Sequence, residues 1–105
     1  LGHIILEFRR HLTDPAELTP EEATALGLWT QKISLALKNV LNAEHVYVVR
    51  IGDKTPHLHF HFVPRYKNTP QEFFGPLHHT WPNGPKATAE DMIRITQDLK
   101  KFLKV

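Results

Sequence analysis

The sequence predicts an α+β fold, an antiparallel sheet with a long helix and a C-terminal helix. Three observations lead there. Residues 57–66 read His-Leu-His-Phe-His-Phe-Val-Pro-Arg-Tyr, and the strict alternation is the period of a strand with one apolar face. An apolar stripe of helical period runs from about Leu26 to Leu41 behind a cap at Thr19. A second stripe follows Thr88 near the end of the chain.

Taken in order, His3–Phe8 (His-Ile-Ile-Leu-Glu-Phe) is β-rich and bounded by Gly2 and Arg9-Arg10-His11, so it reads as a strand. Thr13-Asp14-Pro15 marks a turn. Thr19-Pro20-Glu21-Glu22 opens a helix: Thr19 suits the N-cap, Pro20 the first turn, and Glu22 closes a capping box. This helix runs to about Asn42, with Leu26, Trp29, Ile33, Leu37, Val40 and Leu41 on its core stripe. Gly27 weakens it by roughly 1 kcal/mol, which predicts close packing there.

His45–Ile51 is a second strand, and Gly52-Asp53-Lys54-Thr55-Pro56 turns the chain into the histidine strand, which pairs antiparallel with it. From Tyr66 to Lys86 four prolines (Pro70, Pro76, Pro82, Pro85) argue for loops, with Phe74 and Trp81 filling the core. Thr88-Ala89-Glu90-Asp91 starts the last helix, whose stripe is Met92, Ile95, Leu99, Phe102 and Leu103.

At 105 residues the chain is expected to form one domain, residues 1–105. Hydrophobic content of 41% and charged content of 23% are those of an ordinary globular protein. A formal charge of +2 with no dense Lys/Arg stripe suits a small phosphate-bearing ligand better than a long nucleic acid. The absence of cysteine excludes disulfide and thiolate chemistry. No apolar run has transmembrane length, so no membrane partner is expected and a cytoplasmic location is the default. Leu1 stands inside an apolar segment, so an upstream portion is expected to be missing.

With eight histidines in 105 residues, composition alone supplies this triple alternation roughly 0.04 times per chain. Two chemistries use such a strand. Alternate residues lie roughly 6.6 Å apart, so His57 with His59, or His59 with His61, can share a metal ion. His57 and His61 are roughly 13 Å apart, and zinc would need ligands from His11, Asp53, His78 or His79. The second chemistry is nucleophilic attack on phosphorus by the central imidazole, its neighbours holding the phosphate oxygens. That uses all three positions without requiring convergence on one atom. Like charges at this spacing oppose simultaneous protonation, which favours a neutral nucleophile.

His57-Leu58-His59-Phe60-His61-Phe62-Val63 resembles the signature of the histidine triad family, His-φ-His-φ-His-φ-φ with φ apolar, and Pro64-Arg65 is frequent there too. Gly2-His3-Ile4-Ile5-Leu6 followed by Arg9-Arg10-His11 resembles the family's upstream stretch, and Asp14 to Glu22 resembles its approach to the long helix. The likeness covers residues 2–66. It implies a nucleotide-binding hydrolase of phosphoanhydrides or phosphoramidates that works through a nucleotidyl-histidine intermediate on His59, with no obligatory metal or cofactor. It further implies that the His57 carbonyl orients the nucleophile's tautomer while its side chain supports the cluster. His61 contacts the α-phosphate and helps the leaving group, and His11 buttresses the site. A homodimer is expected.

Two alternatives stand beside this reading: a nucleotide-binding module with little turnover, and a zinc-binding protein. The sequence also departs from the family, whose approach to the triad resembles Gly-Gln-Ser/Thr. Here Gly52 is followed by Asp53-Lys54-Thr55-Pro56, leaving Lys54 and Thr55 as substrate-binding candidates. His3 and His45, at strand starts, read as structural.

Overall fold

Phe60 and Phe62 decide which way the sheet faces. A computed structural model describes residues 2–50, 57–75 and 88–104, and in it Phe62 is fully buried while His59 and His61 stand on the opposite face. The elements run β1 (Ile4–Glu7), α1 (Pro20–Leu41), β2 (His45–Val49), β3 (His59–Arg65) and α2 (Ala89–Leu103). The sheet order is β1-β3-β2, and both pairings are antiparallel. This is the α+β architecture the sequence predicts, with the histidine strand at its centre. No helix among the described residues is long and apolar enough to cross a membrane.

Phe62 shares one buried cluster with Ile33, Ala36 and Leu37 of α1 and Ile95 and Leu99 of α2, with Ile4, Leu6, Val46 and Phe60 packed around it. Burying an aromatic of this size stabilises by roughly 1.5–3 kcal/mol and commits the strand to one facing. Both helices therefore lie on the Phe62 side, and they leave the histidine side uncovered. Pro64 is tolerated within β3 because the β1 ladder ends at the Ile4–Phe62 rung.

The start of α1 is strongly fixed. Thr19 accepts from the Glu22 amide and the Glu22 carboxylate accepts from the Thr19 amide, the expected capping box. Arg10 grips the same carboxylate through Nε at 3.2 Å and Nη2 at 2.7 Å. Those bonds, with the Thr19 amide next in weight, hold the Glu22 carboxyl down to about 2. Arg10 also donates to the Glu17 carbonyl at 2.9 Å, so it ties the exit of β1 to the head of the helix. Asn42 ends α1 in the left-handed conformation at φ 58°. Thr88 and Asp91 repeat the capping box at α2.

Several expectations are corrected. A Cβ on Gly27 would meet nothing within 4 Å, so the residue is exposed rather than closely packed. On α2, Ile95 and Leu99 are buried and Leu103 lies against the core, whereas Met92 and Phe102 are exposed. Met92 shares the Leu99 line but opens onto a groove of about 270 Å³ lined by Gly2, His3, Ile4 and Thr96. Phe74 is not core either: its ring covers the Arg65 guanidinium at 3.8 Å. The histidine strand begins at His59, with His57 in the bend before it, and the first two strands end at Glu7 and Val49. The Gly52–Pro56 turn and Trp81 lie outside the described residues.

Candidate active site

Alternation along β3 sends His59 and His61 to the face away from the helices, and pairing gives each its neighbours. Glu7 lies directly across from His59, while Ile5 and Val49 flank His61 on either side. The two rings meet edge-on with centroids 4.8 Å apart. His59 Nδ1 lies 2.7 Å from the main-chain oxygen of His57. A carbonyl only accepts, so Nδ1 carries the proton and donates, and in the neutral ring Nε2 keeps its lone pair.

His57 and His11 are brought together by the main chain. The Leu58 amide donates to the Leu12 carbonyl at 2.6 Å, and both leucines are buried. This clamp sets the His11 and His57 rings at 5.6 Å. His57 Nε2 is also 3.6 Å from a carboxylate oxygen of Glu7.

The structure adds a histidine that the sequence reading treated as structural. His3 Nε2 is 2.8 Å from His61 Nδ1. One proton serves that contact, so for His61 to offer an Nε2–H to an anion while neutral, its Nδ1 must accept from His3. Burial first, and the His61 charge second, hold the His3 imidazole below the usual histidine range, which suits a neutral partner. Gly2 makes the approach possible: at φ +81° it occupies the left-handed region, and a Cβ there would run into the Leu41 side chain. The parity of His3, Ile5 and Glu7 was available in the sequence; the register that sets them against β3 was not.

His11, His57, His59 and His61 thus lie along one wall, extended by His3 and Glu7. Lys54 and Thr55 lie outside the described residues, as do Asp53, His78 and His79 of the metal reading. Among the described residues no three His, Asp or Glu side chains are placed to hold one metal ion. His45 stands at the outer end of β2 with its ring edge against Tyr47 at 4.8 Å. The lower end of the same face is covered: Arg65 donates to the Tyr47 hydroxyl at 2.8 Å, and the Gly75 amide donates to it at 2.7 Å.

The family model described as HIT domain matches residues 1–68. A histidine triad protein from Marinobacter aquaeolei is 24% identical, with 97% of this chain and 74% of that one aligned at a TM-score of 0.78. One from Sinorhizobium meliloti is 24% identical over 94% and 73% of the two chains, at 0.76. A third, from Bradyrhizobium japonicum, is 18% identical over 96% and 75%, at 0.80. Identities this low carry the fold alone. No curated protein matches.

Proposed function

This chain belongs to the HIT domain family, and on that premise we propose that it hydrolyses a nucleoside phosphoanhydride or phosphoramidate through His59. The observation that carries the reading is the 2.7 Å contact between His59 Nδ1 and the His57 carbonyl, which leaves a lone pair on Nε2.

In the first step that lone pair forms an N–P bond with the α-phosphorus. The bond from phosphorus to the leaving oxygen or nitrogen breaks, and its electron pair departs with the leaving group, which takes up a proton. In the second step water attacks phosphorus, the N–P pair returns to His59, and the water proton passes to solvent. His61, backed by His3, donates to the phosphate oxygens as charge builds on them. His57 and His11 support the ring from the other side. Lys54 and Thr55 belong to this proposal as phosphate contacts, and the working form is a cytoplasmic homodimer.

Incubating the protein with a nucleoside phosphoramidate and quenching in alkali should reveal, by intact mass, one nucleotidyl group on the protein. The adduct should vanish in His59→Ala, turnover should fall at least about a hundredfold, and nucleotide affinity should stay within about tenfold. Unchanged turnover in that variant removes the mechanism. Tight nucleotide binding by the wild-type protein, with no turnover and no adduct, would instead identify a binding module.

A further inference from the structure

Among the described residues, Glu7 is the acidic side chain that the fold sets against the imidazole wall. Its Cα is the direct partner of His59 across the β1–β3 ladder, and its side chain is 57% exposed. Opposed Cβ atoms in such a pair lie roughly 5 Å apart, so the carboxylate is a near neighbour of anything bonded to His59. Among the described residues its only ion-pair partner is His57, at 3.6 Å, which balances the charge only when that ring is protonated. Arg10, Arg50, Arg65 and Arg94 are engaged with other carboxylates. Within the described residues a carboxylate is therefore held across from the nucleophile, with a histidine as its ion-pair partner.

We propose that Glu7 is a specificity-determining residue that selects nucleotides whose leaving group is neutral or cationic, above all an amine-bearing phosphoramidate, and rejects polyphosphates. The inference rests on the hydrolytic reading and narrows it. A pyrophosphate leaving group brings several negative charges into the carboxylate's field, whereas an ammonium-bearing group is drawn to it. The balance of the chemical step is unchanged: His59 Nε2 forms the bond to phosphorus, and the P–N bond breaks with its pair on nitrogen. That nitrogen takes a proton and departs as a free amine.

Three adenylates test this: the amide of ethylamine, the amide of ethylenediamine, and adenosine triphosphate. With kcat/KM for the ethylamide as reference, Glu7→Gln should lower the relative value for the ethylenediamine amide at least threefold. It should raise that for the triphosphate at least threefold. Both shifts should shrink as ionic strength rises, and Glu7→Asp should retain most of the wild-type preference. A change of equal proportion on all three substrates, or a shift indifferent to salt, would make Glu7 a support for His57 and overturn the proposal. Should the wild-type protein turn over none of them, the hydrolytic reading fails. The dissociation constants of the three compounds then decide the role of Glu7: ratios moving as above retain it, and unmoved ratios sink it.

Discussion

Because the acceptor that orients His59 is a main-chain oxygen, removing the His57 side chain should leave the orientation intact. At 2.7 Å the Nδ1–H···O bond is at the short end of the normal range and is partly buried. A net worth of about 1–1.5 kcal/mol corresponds to about a five- to twelvefold preference for the Nδ1–H tautomer, using about 1.4 kcal/mol per decade. The competing tautomer would also set a ring lone pair against a carbonyl oxygen, which raises the ratio further. Nitrogen-15 NMR of the histidine side chains should therefore show His59 protonated at Nδ1 and bare at Nε2, in the wild-type protein and in His57→Ala alike. Kinetically, His57→Ala should cost no more than about tenfold in kcat, since it removes only the contacts to His11 and Glu7. A dominant Nε2–H tautomer in the wild-type protein would refute the reasoning. So would a His57→Ala variant as inactive as His59→Ala.

Gly27→Ala should stabilise the fold by about 0.5–1 kcal/mol and raise Tm by a few degrees, because the added Cβ meets open space in an exposed helix position; a lower Tm would show that something packs there. Phe62→Ala should cost about 3–5 kcal/mol, read as a lower urea midpoint, since the ring sits at the junction of both helices and the sheet. In the folded protein His3 binds its proton more weakly than in the unfolded chain. Its contribution to stability is therefore complete above about pH 6.5 and is lost as pH falls through the lowered native value. Tm measured against pH should decline on that side, and His3→Asn should flatten the decline.

What the sequence shows and what it hides divide along a physical line. Capping boxes at Thr19–Glu22 and Thr88–Asp91 are local, made by residues three apart, and both stand as read. Alternation through His57–Phe62 likewise fixes which side chains share a face before any partner is known. Leu12 is not legible because a lone apolar residue beside a turn has no period; the fold buries it and sets its carbonyl on the Leu58 amide. Gly27 was misread for another reason. A helix anchored by Ile33, Ala36 and Leu37 draws its stability from packing, so an exposed glycine is tolerated without compensation.

The site divides the same way. His57, His59 and His61 are legible because their alternation is written in the sequence itself. His3 and Glu7 are not, since their roles arise only when β1 pairs with β3 in one register: Ile5 with His61, and Glu7 with His59. A slip of one residue would turn His3, Ile5 and Glu7 toward the helices and bring Ile4 and Leu6 out to the imidazoles. Phe62 forbids it, because Ile4 must face the helices beside it to join the core. The packing that stabilises the fold is thus also what delivers a histidine to His61 and sets Glu7 across from His59. Substitutions at Ile4 or Leu6 that loosen this register should damage activity out of proportion to the stability they cost.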